Sequence, residues 1–156
     1  MYEIERKFLI KDNSWIRDIS EVLHIRQGYL MEDASKKSLR IRKSNNDYTM
    51  TFKMPVVKFY THTDIEIEKS ITKEEFDLLF NECEYKLAKI RHIVYHDGRK
   101  WEIDMFTDKI LPNGDVYMCE IELNSEDDKI TLPSWVGEEV THNRKYKNIN
   151  IVKGAS

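Results

Sequence analysis

Charges of one sign recur two residues apart in this chain, with apolar residues between and around them. Arg40 and Arg42 flank Ile41, and Glu66 and Glu68 alternate with Ile65 and Ile67. Lys89 and Arg91 repeat the pattern, as do Glu120 and Glu122, set between Cys119, Ile121 and Leu123. In an extended strand successive side chains point to opposite faces. Each segment therefore presents one face of charge and one apolar face. The N-terminus does the same with mixed signs: Glu3, Glu5 and Lys7 share one face, Ile4 and Phe8 the other.

Taken in order, the spacing predicts strands over 2–10, 22–31, 38–44, 48–54 and 63–69. The second places Ile25, Gln27 and Tyr29 on one side, and the fourth places Thr49, Thr51 and Lys53 together. Ser44-Asn45-Asn46-Asp47 is a turn by composition. A short helix is expected near Trp15–Ile19. At Thr72 the period changes. Thr72 and Glu75 form a capping box, Ile71 and Phe76 a staple, and Phe76, Leu79 and Phe80 a helical stripe ending near Cys83. Residues 86–96 and 99–106 flank Asp97-Gly98, a two-residue hairpin turn. A last strand runs over 116–123. Beyond Ser125 the expectation is a packed loop around Pro133, Trp135 and Gly137, then a short helix over 141–148.

The 156 residues suit a single domain able to bury a sizeable core. Charged residues make up 34%, yet the net charge is only −3, so no basic footprint for nucleic acid is expected. No apolar run is long enough to span a membrane, and the first residues lack a charged-then-apolar pattern, so no signal peptide is expected in them. Cys83 and Cys119 form no CxxC motif, which suits reduced thiols in a cytoplasmic protein. Cys119, on the parity of Ile121, reads as buried and inert. Trp15, Trp101 and Trp135 read as apolar packing, and the scattered histidines lack metal-ligand spacing.

Eight strands and few helices point to a mainly β fold, with some α: a closed eight-stranded antiparallel barrel carrying a few outer helices. The ordinary arrangement would turn the charges to solvent. Faces of a single sign argue against it, because like charges two apart on one face repel. Turned inward, cationic faces can meet acidic ones across a charged lumen. The apolar outer faces would then be covered by the 72–83 helix, the C-terminal segment and, in a homodimer, a second subunit. Arginine forks and lysine point charges match phosphate oxygens. Carboxylates cannot hold phosphate directly, but they can hold Mg²⁺ or Mn²⁺, which bridges to it. One lumen with both sets is suited to a metal–polyphosphate complex.

With these residues on the page, the sequence resembles the CYTH-domain proteins, the triphosphate tunnel metalloenzymes. The family's Glu-x-Glu-x-Lys stands here as Glu3-x-Glu5-x-Lys7. The likeness continues through Gln27-Gly28-Tyr29-Leu30, Leu39-Arg40-Ile41-Arg42, Thr51-Phe52-Lys53, Glu66-x-Glu68, Lys89-Ile90-Arg91, Trp101-Glu102-Ile103-Asp104, Glu120-Ile121-Glu122-Leu123 and the run from Trp135 to Thr141. It implies an eight-stranded tunnel binding a triphosphate with one or two divalent ions. The short loops look most like the small bacterial members that hydrolyse inorganic tripolyphosphate. Within the family the alternatives are a class IV-type adenylate cyclase and a thiamine or nucleoside triphosphatase. Outside it stands a polyphosphate-binding module without turnover. His142-Asn143 departs from the acidic residues common in relatives, and 56–62 is not family-typical, so that loop is expected to tune access.

On that resemblance Lys7, Arg40, Arg42, Lys53, Lys89 and Arg91 are expected to clamp phosphate. Glu3, Glu5, Glu120 and Glu122 are the candidate ligands of the main metal. Glu66, Glu68 and Asp104, with Glu102 behind them, would hold a second ion or orient water. Tyr29 is the candidate proton acceptor, with the cation of Lys89 expected close by across the barrel to favour the phenolate.

Overall fold

One antiparallel sheet closes on itself in this protein. The computed structural model describes residues 1–56 and 63–154. The access loop expected over 56–62 therefore falls, but for Val56, outside the described residues. Strands β1 (Tyr2–Ile10), β2 (Ile19–Glu32), β3 (Ser38–Ser44), β4 (Asp47–Pro55), β5 (Thr63–Ser70), β6 (Tyr85–His96), β7 (Arg99–Phe106) and β8 (Tyr117–Glu122) form the barrel. Around the wall the order is β5-β4-β3-β2-β6-β7-β8-β1, and β1 returns to β5. The closing strand divides its labour along its length. Tyr2–Ile4 pair with β5, and Glu5–Leu9 pair with β8.

Turn chemistry sets two of these pairings. Asn45 takes φ 53° between β3 and β4, and Asp97 and Gly98 take 49° and 70° between β6 and β7. Asn, Asp and Gly tolerate that left-handed backbone, which matches the twist of the flanking strands.

Helix α1 (Lys73–Glu82) starts with the expected capping box. The Thr72 hydroxyl accepts from Glu75 N at 3.1 Å, and the Glu75 carboxylate accepts from Thr72 N at 2.9 Å. Such a cap contributes about 1 kcal/mol. Phe76 and Phe80 stack at 5.1 Å and lie over Ile41, Tyr48 and Met50 on the outer faces of β3 and β4. The end of α1 sits so close to β2 that a Cβ at residue 28 would be 2.6 Å from Cys83 Sγ, so only glycine fits there.

A second apolar layer coats β1, β7 and β8. Phe8, Trp101, Ile103, Cys119 and Ile121 pack there against Trp15 and Trp135. Trp15 comes from a 3-10 helix over Ser14–Asp18. Trp135 leads into a ninth strand, β9 (Val136–Glu139), added to the end of β1 at Phe8–Ile10. Expected as a loop, this stretch lacks alternation. It is a strand because β1 offers it an edge, with a Gly137 Cβ 3.1 Å from the Leu9 carbonyl oxygen if one were present.

A third apolar cluster closes one end of the charged lumen. Leu9, Leu87, Phe106 and Met118 continue the inward faces of Lys7, Lys89, Asp104 and Glu120 by one step, and they are apolar. They pack with Tyr29, Val140, Tyr146, Ile149 and Ile151, so one end of the barrel is plugged. The plug includes helix α2 (Asn148–Lys153), preceded by a 3-10 turn over Arg144–Tyr146 where one helix over 141–148 was expected. No helix among the described residues is long and apolar enough to cross a membrane.

Candidate active site

Above the plug the bore holds a cavity of about 260 Å³, walled mainly by charged side chains. The wall is polarised. Arg40 and Arg42 stand on β3, and Lys89 and Arg91 on β6, with β2 between them. Opposite runs an acidic arc: Glu102 on β7, Glu120 and Glu122 on β8, Glu3 and Glu5 on β1, and Asp64, Glu66 and Glu68 on β5. Lys7 and Lys53 stand at its edges.

The arc places like charges in register. Glu5 faces Glu122, Glu3 faces Asp64, and Glu102 faces Glu120. Same-sign pairs directly opposite one another destabilise a sheet. Burial raises the Glu122 carboxyl, with Glu3, Glu102 and Glu5 adding. Burial also pushes Glu3 up to about 7, with Glu66 adding and Lys53 opposing. Lys53 Nζ sits among four carboxylates: 2.5 Å from Glu3, 3.6 Å from Asp64, 3.8 Å from Glu5 and 3.9 Å from Glu66. Burial would lower that ammonium, but Glu5, Glu3 and Asp64 hold it above the lysine range. Lys7 Nζ lies 3.6 Å from Glu120 and 4.0 Å from Glu5.

Among the described residues no three acidic, His or Cys side chains already form a coordination shell. The donor set nevertheless fits a hard divalent cation. It is all oxygen, crowded by like charge, and already gathers the Lys53 ammonium as a resident cation.

On the basic wall the charges are undercompensated. Asp104 bonds Lys89 Nζ at 2.7 Å and accepts from Arg91 Nε and Nη2 at 2.8 and 2.9 Å. Burial would raise this carboxyl, but Arg91 and Lys89 hold it far below the usual range. One carboxylate cannot offset so many cations. Burial pulls Lys89 down to about 8, against Asp104, with Arg91 and Arg42 adding. Burial likewise pulls Arg42 down to about 9, with Arg40 and Arg91 adding. Arg91 also donates to Glu102 at 2.9 Å. Arg40 Nε is buried without a hydrogen-bond partner. A multiply charged anion would satisfy this wall.

Two sequence expectations change here. Asp104, 1% exposed, lies beneath the cavity wall with both oxygens engaged, so a second ion cannot use it as it stands; it holds Lys89 and Arg91 in place. Lys89 is not across the barrel from Tyr29. Strands β2 and β6 are neighbours, with Ile25 opposite Lys89 and Tyr85 opposite Tyr29. The Tyr29 hydroxyl accepts from Gln27 Nε2 at 2.9 Å, and Lys89 Nζ donates to Asn148 Oδ1 at 3.1 Å. The other candidates, Glu3, Glu5, Lys7, Tyr29, Arg40, Arg42, Lys53, Glu66, Glu68, Lys89, Arg91, Glu120 and Glu122, all line the one cavity.

Sequence reading missed Asp64, Lys147 and Asn148. Asp64 was legible, since it shares parity with Glu66 and Glu68. Lys147 and Asn148 reach the bore only because the chain returns to plug it. Lys147 also lines an adjoining cavity of about 180 Å³ with Lys7, Lys36, His142 and Arg144.

A plugged β-barrel with a cationic wall facing a carboxylate arc defines a tunnel protein for polyanions. The family model for the CYTH domain matches residues 1–153, and the chain belongs to that family. An inorganic triphosphatase of Acetivibrio thermocellus is 31% identical over 153 residues, covering 97% of this chain and 93% of that protein. An inorganic triphosphatase of Nitrosomonas europaea is 32% identical over 152 residues, with 95% of each covered. The crystal structure of the inorganic triphosphatase NE1496 superposes with a TM-score of 0.66 at 32% identity, over 96% of this chain and 93% of that one.

Proposed function

We propose that this protein hydrolyses a phosphoanhydride bond of inorganic tripolyphosphate, giving pyrophosphate and phosphate, with Mg²⁺ or Mn²⁺ as cofactor. The polarised bore carries the reading: a buried cationic wall with too little counter-charge faces a carboxylate arc with too much. The two relatives, named inorganic triphosphatases, support it.

Arg40, Arg42, Lys89 and Arg91 bind and orient the phosphates, and Asp104 and Asn148 hold Lys89 from behind. In phosphoryl transfer such positioning and charge neutralisation supply most of the acceleration. Glu3, Glu5, Glu66, Glu68, Glu120 and Glu122, with Asp64, are the groups to hold one or two divalent ions, which supply Lewis acidity at phosphate oxygens and a more acidic water. Lys53 then leaves the carboxylates for the phosphate, and Lys7 stays on the border of both. Water attacks the terminal phosphorus as the bridging P–O bond breaks, and the bridging oxygen leaves with pyrophosphate. Tyr29 orients that water and is the candidate to accept its proton.

An inorganic substrate fits better than a nucleotide or thiamine ester. Tyr29 is the one aromatic ring on the described wall of the cavity, and its hydroxyl is engaged with Gln27. Nothing on that wall offers a stacking platform for a base. The test is a panel of tripolyphosphate, ATP, GTP and thiamine triphosphate with Mg²⁺ or Mn²⁺, scored for phosphate and cyclic AMP. Phosphate released chiefly from tripolyphosphate is expected. Cyclic AMP as the main product would establish a cyclase. Thermal stabilisation by tripolyphosphate without turnover would establish a binding module.

A further inference from the structure

Gln27 is fully buried on β2, between the two strands that carry the basic wall, and does not itself line the cavity. Its carbonyl oxygen accepts from Arg42 Nε at 3.0 Å and from Arg42 Nη2 at 2.9 Å. Its amide nitrogen donates to the Tyr29 hydroxyl at 2.9 Å. Register explains the reach, since Gln27 lies directly opposite Arg42 and two residues from Tyr29 on the same face.

The orientation of this amide is determined by chemistry. Arginine only donates, so Oε1 must face Arg42 and Nε2 must face Tyr29. Two consequences follow. A neutral acceptor aims the Arg42 guanidinium without cancelling its charge, which a carboxylate would do. The Tyr29 oxygen receives an N–H, so its own proton points elsewhere, and the same N–H stabilises the oxygen when it carries negative charge.

We propose that Gln27 is a positioning residue for catalysis: its amide locks the Arg42 fork, keeps that charge free for the substrate, and sets the polarity of the Tyr29 hydroxyl. The proposal deepens the triphosphatase reading. A glutamate in its place would form an ion pair with Arg42 and face the Tyr29 oxygen with a second negative charge.

The test compares Gln27→Glu and Gln27→Met, both close in volume to the native residue. For Q27E the KM for tripolyphosphate should rise about tenfold or more, as expected when a hydrogen-bonding group is replaced at a charged partner. The ascending limb of its pH–kcat profile should also move to higher pH. Q27M keeps no hydrogen bond to either partner and should lose kcat by about tenfold, with a smaller pH displacement because it removes the N–H without adding a negative charge. A role in packing alone predicts equal falls in Tm and an unmoved pH profile for both variants. KM, kcat and pH profile within about twofold of the parent would overturn the proposal. If neither variant folds, the Gln27 side-chain amide protons decide in the parent by ¹⁵N NMR. One should be protected from exchange and lose that protection in Tyr29→Phe; two unprotected protons in the parent would overturn the proposal. Absence of turnover in the parent would refute the triphosphatase reading instead, and the NMR comparison would still decide on Gln27.

Discussion

The Lys53 ammonium lies 2.5 Å from Glu3 and within 4 Å of Glu5, Asp64 and Glu66. A side chain expected to grip phosphate thus serves as counter-ion to the opposite wall. A divalent cation held by the same carboxylates, as proposed, would compete with this lysine for one set of oxygens. Replacing Lys53 by Met should destabilise the metal-free protein by about 3 kcal/mol, the usual cost of leaving buried charge unpaired. Mn²⁺ should restore more Tm in the variant than in the parent. Scanning fluorimetry with and without Mn²⁺ reads both; an equal Mn²⁺ response would count against competition.

Glu5 and Glu122 are register partners of the same sign on β1 and β8. Neutralising one relieves repulsion in the empty tunnel and removes an oxygen proposed to hold the metal. Glu122→Gln should raise the metal-free Tm and lower kcat by about a hundredfold, on the scale of losing one electrostatic group at a reacting phosphate. A fall in both would mean that the repulsion is already screened.

Asp104 is the single carboxylate contacted by both Lys89 and Arg91 among the described residues. Asp104→Asn removes the carboxylate on Lys89 and one of the two on Arg91, and should cost about 3–5 kcal/mol. Tripolyphosphate should stabilise this variant more than the parent, because an anion replaces the lost charge. Thermal melts with and without tripolyphosphate in the absence of metal are the check.

The lowered basic groups predict a pH dependence. Lys89, at about 8 against an ordinary 10.5, binds fewer protons folded than unfolded between those values. Stability from this group therefore rises with pH across that window. Glu3, at about 7 against 4.5, has the opposite sign: its contribution is full below 4.5 and is lost as pH rises to about 7. If Glu3 holds Mg²⁺ as proposed, the ion displaces that proton and its effect on Tm should grow from pH 5 to 8; a pH-independent effect would place Glu3 outside the ion's reach. The KM for tripolyphosphate should climb above about pH 8 as Lys89 loses charge.

The plug is a packing device. Ile151, 5% exposed among Leu87, Phe106 and Met118, has no room to relax. Ile151→Ala should cost about 2–4 kcal/mol by denaturant unfolding.

Strand faces were legible because side-chain parity is local. Arg40 with Arg42, Glu120 with Glu122, and the charged face opened by Glu3 needed no partner to be read, and neither did the Thr72–Glu75 cap. The inward direction of these faces was legible too, because a row of like charges is hard to place anywhere else. The closure of β1 onto β5, the strand at Val136–Glu139 and the partners of each charge were not. Asp104 shares a face with Glu102, yet one lines the cavity and the other lies beneath it. Lys53 is a cation like Arg42, yet it sits among carboxylates. Alternation along a strand is a property of neighbouring residues and survives in the bare sequence. Which charges meet, and whether the end of a bore is wet or plugged, depends on residues over a hundred positions apart brought together by barrel closure.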